Sequence, residues 1–232
     1  MKHLWQTYIT AAMLGSALSL PLTAAAGSFI NGDFELPGIA AATYAPIYPG
    51  HTPVGWAAGG TADAGNYSLF YENGAFGEVG KVGPNVIGFG GNVTTGATLS
   101  QTFDTVPGQT YTVNYWVTAQ QGPGVQSVRL DALGITAIVL SSVSYDILNN
   151  YPELYHWYAG TTLSFIADGT SNTIRFTDTS NAIASVSTNW ALDGVTVNRD
   201  APTPAVPEPG TYGLMLAGLG LLGYLSRREV KP

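Results

Sequence analysis

Thr110-Tyr111-Thr112-Val113-Asn114-Tyr115-Trp116-Val117-Thr118-Ala119 decides the fold. Its period of two puts Tyr111, Val113, Tyr115 and Val117 on one face of a strand, and its β-branched and aromatic residues suit a pleated, half-buried surface. The same reading, carried outward, gives strands over Ala97–Asp104, Val125–Asp131, Ile135–Ser141, Tyr158–Ala167, Asn172–Asp178 and Asn189–Asn198. Ala132–Gly134 is expected to be the turn of a hairpin between two of them. Turn clusters such as Val106-Pro107-Gly108 and Asp168-Gly169 separate the runs. Residues 27–200 hold no internal repeat and no 3.6-residue period. Many short strands between turn signals predict one all-β domain, an antiparallel β-sandwich over 27–200. Residues 37–84, rich in Gly, Pro, Ala and Tyr, read as long loops with one or two edge strands. Loops on a rigid scaffold are where binding residues usually sit.

Charged residues are 10% of the chain, against about 25% in an ordinary domain. Between residues 27 and 205 the only basic side chains are Lys81, Arg129, Arg175 and Arg199, against thirteen of the 15 acidic ones. So acidic a domain is a poor nucleic-acid binder, because neutralising phosphates needs Lys and Arg. The same argument disfavours an anionic membrane surface. There is no cysteine, which excludes thiol catalysis and Cys-ligated zinc. A domain without disulfides must be held by its core, by a metal, or by both.

Both ends read as addresses. Lys2 and His3, the mostly apolar Tyr8–Leu22 and Ala24-Ala25-Ala26 make a secretory signal peptide over 1–26, with the mature chain starting at Gly27. Residues 201–206 form a Pro-rich extended linker. Then come Val206-Pro207-Glu208-Pro209-Gly210, an apolar run from Thr211 to Leu225, and Ser226-Arg227-Arg228. The run is about 15 residues, against about 20 for a comfortable span. A short transmembrane segment is expected over 211–225, its arginines and Lys231 cytoplasmic. Gly218-Leu219-Gly220-Leu221-Leu222-Gly223 matches a dinucleotide fingerprint in letters but lacks the preceding strand that mechanism needs. Small residues of a membrane helix explain it better. The ending at 207–228 resembles the PEP-CTERM sorting signal of Gram-negative bacteria, with Pro207, Glu208, Pro209, Arg227 and Arg228 as its signal residues. The resemblance implies processing by an exosortase-type membrane protease in a bacterium that makes exopolysaccharide. It also implies export to the cell surface or extracellular matrix, with the C-terminal segment transiently held in the inner membrane.

The domain opens with Phe29-Ile30-Asn31-Gly32-Asp33-Phe34-Glu35-Leu36-Pro37 and closes with Trp190-Ala191-Leu192-Asp193-Gly194-Val195-Thr196-Val197. This pair resembles the galactose-binding-like jelly roll of many carbohydrate-binding modules. The resemblance implies that the first and last strands lie close together and share a structural calcium. Glu35 and Asp193 would then supply carboxylate oxygens, with Asp33 as a third. Calcium takes six to eight oxygens, so backbone carbonyls and water must complete the shell. Otherwise Asp33 and Glu35 are turn and strand-end residues, and Asp193 accepts backbone N–H bonds.

Sugar rings stack their C–H faces on Trp and Tyr while polar neighbours take the hydroxyls. The candidate ligand-binding residues are Trp56 and Tyr71 in the loop region, Trp116 on the face of its strand opposite Tyr111 and Val113, and Tyr155 and Trp157 in the dense aromatic patch 151–158. Any of these rings can equally be core. No catalytic set is found: His51 and His156 lack a nucleophile elbow or a metal-binding helix around them. The expected function is carbohydrate binding without catalysis. A structural or adhesive matrix role with no defined sugar is the alternative, followed by a glycan hydrolase built on two carboxylates.

Overall fold

The structure, a computed structural model, describes residues 27–91, 94–121, 125–147, 155–181, 189–201 and 209–228. The expected signal peptide and most of the linker lie outside the described residues. In chain order the strands are β1 (Thr43–Pro46), β2 (Ala57–Gly60), β3 (Leu69–Asn73), β4 (Val86–Phe89), β5 (Ala97–Asp104) and β6 (Thr110–Gln121). They continue with β7 (Gln126–Leu133), β8 (Val139–Ile147), β9 (Tyr158–Ala159), β10 (Leu163–Ile166), β11 (Ser171–Asp178) and β12 (Asn189–Arg199). One sheet runs β1-β3-β4-β12-β6-β10, with β9 also on β6; the other runs β2-β5-β11-β7-β8. Every pairing between these strands is antiparallel. The chain repeatedly crosses from one sheet to the other, which makes a β-sandwich of jelly-roll type.

The core lies between the sheets, and the period of two fills it. β6 contributes Tyr111, Val113, Tyr115 and Val117, and β5 and β11 contribute Leu99, Phe103, Ile174 and Phe176. Trp190 of β12 stacks on Phe89 of β4, ring centroids 4.2 Å apart, and its indole N–H donates to Asp178 Oδ1 at 3.0 Å. Buried Gln101 is satisfied by the opening segment: Ile30 N donates to Gln101 Oε1 at 2.8 Å, and Gln101 Nε2 donates to Ile30 O at 2.9 Å.

Four details differ from the sequence reading. The hairpin turn falls at Gly134–Ile138, not Ala132–Gly134, closed by Gly134 N donating to Ile138 O at 2.8 Å. Ile135 and Ile138 are therefore exposed turn residues, and their apolar character mimics a strand. The expected strand Tyr158–Ala167 is two, β9 and β10, interrupted at Gly160, where a Cβ would lie 2.1 Å from the Tyr115 ring. The stretch 37–84 holds two edge strands, β1 and β2, but also the interior strand β3. Finally, 211–225 lies in a helix, α1 (Pro209–Arg228), yet among the described residues no helix is long and apolar enough to cross a membrane. That corrects the expected transmembrane segment. The apolar run is short, and its glycines dilute the hydropathy of the helix that contains it.

Candidate functional site

The two end motifs meet. Val195 N donates to Gly32 O at 2.8 Å, and the approach is so close that a Cβ on Gly32 would lie 1.9 Å from Val195 O. Asn31 pins the opening turn: its Nδ2 donates to Leu36 O and Val54 O, and its Oδ1 accepts from Leu36 N. Phe34 drops into the core with no exposed surface. On the other side, β12 shifts register between Asp193 and Thr196. Gly194 sits there at φ 58°, a conformation that favours glycine.

The two candidate calcium ligands nearest this junction share one loop. Glu35 Oε1 accepts from Asn85 N at 2.9 Å and Oε2 from Asn85 Nδ2 at 2.5 Å. Asp193 Oδ2 accepts from Val82 N at 2.8 Å and Oδ1 from Gly194 N at 2.6 Å. Asp193 is fully buried. Burial outweighs its backbone N–H bonds and pushes its carboxyl up to about 7, with the Glu35 charge adding to the rise. Asp33 is half-buried on the wall of the adjoining cleft. Among the described residues no three acidic or histidine side chains group to hold a metal. A calcium ion at Glu35 and Asp193 would therefore draw most of its shell from carbonyls and water.

The aromatic candidates separate. Trp56 and Tyr71, expected in exposed loops, are each only 5% exposed and belong to the core. Trp56 packs on Phe29, Phe34 and Phe176, and its indole N–H donates to Asn31 O at 2.9 Å. Tyr71 lies on the inward side of β3, its hydroxyl donating to Phe34 O and accepting from Gly38 N. Neither ring offers a free face. Trp116, by contrast, stands on the outer face of its sheet, half-buried, with the Lys81 ammonium 3.9 Å from the ring centre. It lines an open cleft of about 510 Å³ together with Phe29, Asp33, Val82, Thr196 and Asn198.

Tyr155 and Trp157 are half-buried and hold the β3–β4 loop. Tyr155 Oη donates to Phe76 O, and Trp157 Nε1 to Val79 O, each at 2.8 Å. The segment 151–154 lies outside the described residues. The loop they hold exposes Phe76, whose ring is 5.1 Å from that of exposed Tyr44, which in turn is 5.6 Å from Tyr67. Sequence reading missed Tyr44 and Phe76 as a surface pair, because 32 positions separate residues brought together only by the β1–β3 pairing. His51 and His156 are exposed and pack on Tyr48 and Tyr158. Of the sorting-signal residues, Pro207 and Glu208 lie outside the described residues, as do the side chains of Pro209, Arg227 and Arg228.

A family model for the PEP-CTERM protein-sorting motif matches residues 205–229. No curated protein sequence matches the chain. Three solved structures illustrate the fold. TmCBM61 in complex with β-1,4-galactotriose shares 13% identity over 63% of this chain and 90% of that one, TM-score 0.45. The CBM22-1 xylan-binding domain of Paenibacillus barcinonensis Xyn10C shares 10% over 71% and 97%, TM-score 0.45. The arabinose-bound MgGH51 α-L-arabinofuranosidase shares 13% over 75% of this chain but 26% of that one, TM-score 0.50. At such identities the similarity concerns the fold alone. The strand order makes the domain an antiparallel jelly-roll sandwich, and the chain carries a PEP-CTERM sorting motif at 205–229.

Proposed function

We propose that this chain is an exported protein of the cell surface or extracellular matrix whose sandwich, residues 27–200, binds carbohydrate without catalysis. The observation that supports it best is the open cleft beside Trp116. It pairs an aromatic wall with Asp33, Thr196 and Asn198, none of whose side chains has a hydrogen bond among the described residues. Its volume of about 510 Å³ falls in the usual range for small-molecule sites. An acidic, low-charge surface suits a neutral polysaccharide. The sorting motif at 205–229 supports processing by an exosortase-type protease. Calcium at Glu35 and Asp193, with Asp33 at the cleft wall, would tie the two ends of the domain and neutralise Asp193.

A glycan array probed with the full chain in calcium tests the reading. We expect hits for the wild type that weaken at least about tenfold in Trp116→Ala, since a stacked aromatic is worth on the order of 1 kcal/mol or more. No hit above background for the folded, calcium-loaded wild type overturns it. Matrix cohesion without a sugar is the competing reading. The strand β8, an edge of its sheet among the described residues and with Val139 exposed, favours it, because an edge strand can add a strand from another chain. Self-association that rises with concentration, together with a blank array, would select it.

A further inference from the structure

Glu72 and Gln120 lie on the outer face of the larger sheet, since their neighbours Tyr71 and Ala119 point into the core. β4 and β12 separate their strands, yet Gln120 Nε2 donates to Glu72 Oε2 at 2.7 Å. Gly88 and Ala191 pair with each other between them, and the Phe70 ring packs over Gly88, within 2.1 Å of where a Cβ would stand. Glu78, from the β3–β4 loop, meets the Glu72 carboxyl, which also faces the Phe76 backbone N–H. Glu72, Glu78 and Gln120 are 0%, 2% and 3% exposed.

Four oxygens here have no hydrogen-bond partner among the described residues: Glu72 Oε1, both carboxylate oxygens of Glu78, and Gln120 Oε1. The last belongs to a neutral amide, so the orphaned acceptors are not a consequence of the acids alone. No described cationic side chain offsets the pair. Lys81 lies on Trp116, Arg129 and Arg175 both bind Asp131, and Arg199 is exposed on β12. Buried, unpaired carboxylates are costly. A proton shared between Glu72 and Glu78 would satisfy at most two of the four acceptors. A hard cation takes six to eight oxygens and so has use for each of the four.

We propose that Glu72, Glu78 and Gln120 form a buried site for a hard divalent cation of the calcium class beneath the β3–β4 loop. The site is separate from Glu35 and Asp193 and independent of the sugar reading. Its consequence is positional. The cation fixes Glu78, and with the Tyr155 and Trp157 bonds it sets the loop that presents Phe76 beside Tyr44.

The test is calcium titration calorimetry on the chelator-stripped full chain, with magnesium in parallel, comparing wild type, Glu78→Gln, Gln120→Glu and Glu35→Gln. Glu78→Gln removes a desolvated charge at constant shape and should fold at least as well without calcium. It is expected to weaken one calcium site at least about tenfold. Gln120→Glu adds a third carboxylate and is expected to tighten that site and to depend on calcium for stability. Glu35→Gln should leave it unchanged. Calcium binding that is the same in wild type, Glu78→Gln and Gln120→Glu overturns the site, as does absence of any calcium binding by the wild type. Loss of binding in Glu35→Gln alone would place the ion at the chain ends and overturn it as well. None of these readouts involves a glycan, so failure here leaves the Trp116 cleft untouched.

Discussion

Gly32 sets how closely the opening segment can approach β12. In Gly32→Ala the new methyl would meet Val195 O at 1.9 Å, a backbone atom that cannot swing away. The strand must move, and the bond from Val195 N to Gly32 O weakens. We expect a loss of about 2–4 kcal/mol in urea unfolding, combining strain with a lost buried hydrogen bond. Stability within 0.5 kcal/mol of wild type would show that the junction tolerates a side chain. A second residue-scale prediction concerns Asp131, 2% exposed. Its burial, which alone would raise the carboxyl, is outweighed by Ser142, Arg175 and Arg129, so it sits below the ordinary range. Asp131→Asn leaves Arg175 unpaired. Because both arginines are about one-third exposed or more, the cost is about 1–3 kcal/mol, short of a fully buried pair. The sequence makes some side chains legible and others not, for one reason. Alternation assigns a face only inside a strand, so it placed Trp116 opposite Tyr115. Trp56 precedes β2, and the rings that bury it, Phe29, Phe34 and Phe176, come from distant parts of the chain.

At the scale of elements, β5 matched its sequence reading to the residue, and β6, β11 and β12 did so within two, because each carries a long alternating pattern with turn residues at its ends. β1 to β4 were harder. They are four or five residues long, and β3 and β4 are buried on both faces, so their apolar runs carry no period. The β3–β4 loop was unreadable for a different reason: its partners, Tyr155 and Trp157, lie more than seventy positions away. Its attachment is testable. Trp157→Phe keeps the ring but removes the donor to Val79 O. We expect amide hydrogen exchange in residues 76–80 to rise about fivefold, the value of one hydrogen bond of roughly 1 kcal/mol, with little change in global stability. Unchanged exchange there would mean that the loop is held by other contacts.

The described residues bury several carboxyl groups that no described cationic side chain pairs, and this gives the stability an unusual pH dependence. Burial raises the Asp193 carboxyl from the ordinary 3.8 to about 7. Burial, followed by the Glu78 carboxyl, raises that of Glu72 well above the ordinary range. In both cases the native state binds the proton more tightly than the unfolded chain. The associated stability is therefore complete below about pH 4 and is lost as pH rises through about 7 for Asp193 and through about 9 for Glu72. For Asp193 alone the loss is at most roughly 4 kcal/mol. Asp131 acts in the opposite sense: its stability is present above pH 3.8 and lost as the solution becomes more acid. The two trends cross, so the chelator-stripped protein should be most stable near pH 4–5, below the usual range of about 5–8. Calcium, by replacing those protons, should restore stability above pH 7. Thermal unfolding of the full chain at pH 4.5, 6, 7.5 and 9, with chelator and with calcium, checks both halves. Asp193→Asn should flatten the chelator curve between pH 5 and 7. A melting temperature that climbs steadily from pH 5 to 8 in chelator would contradict the picture, since it would mean that these carboxyl groups are ionised and satisfied by the protein itself.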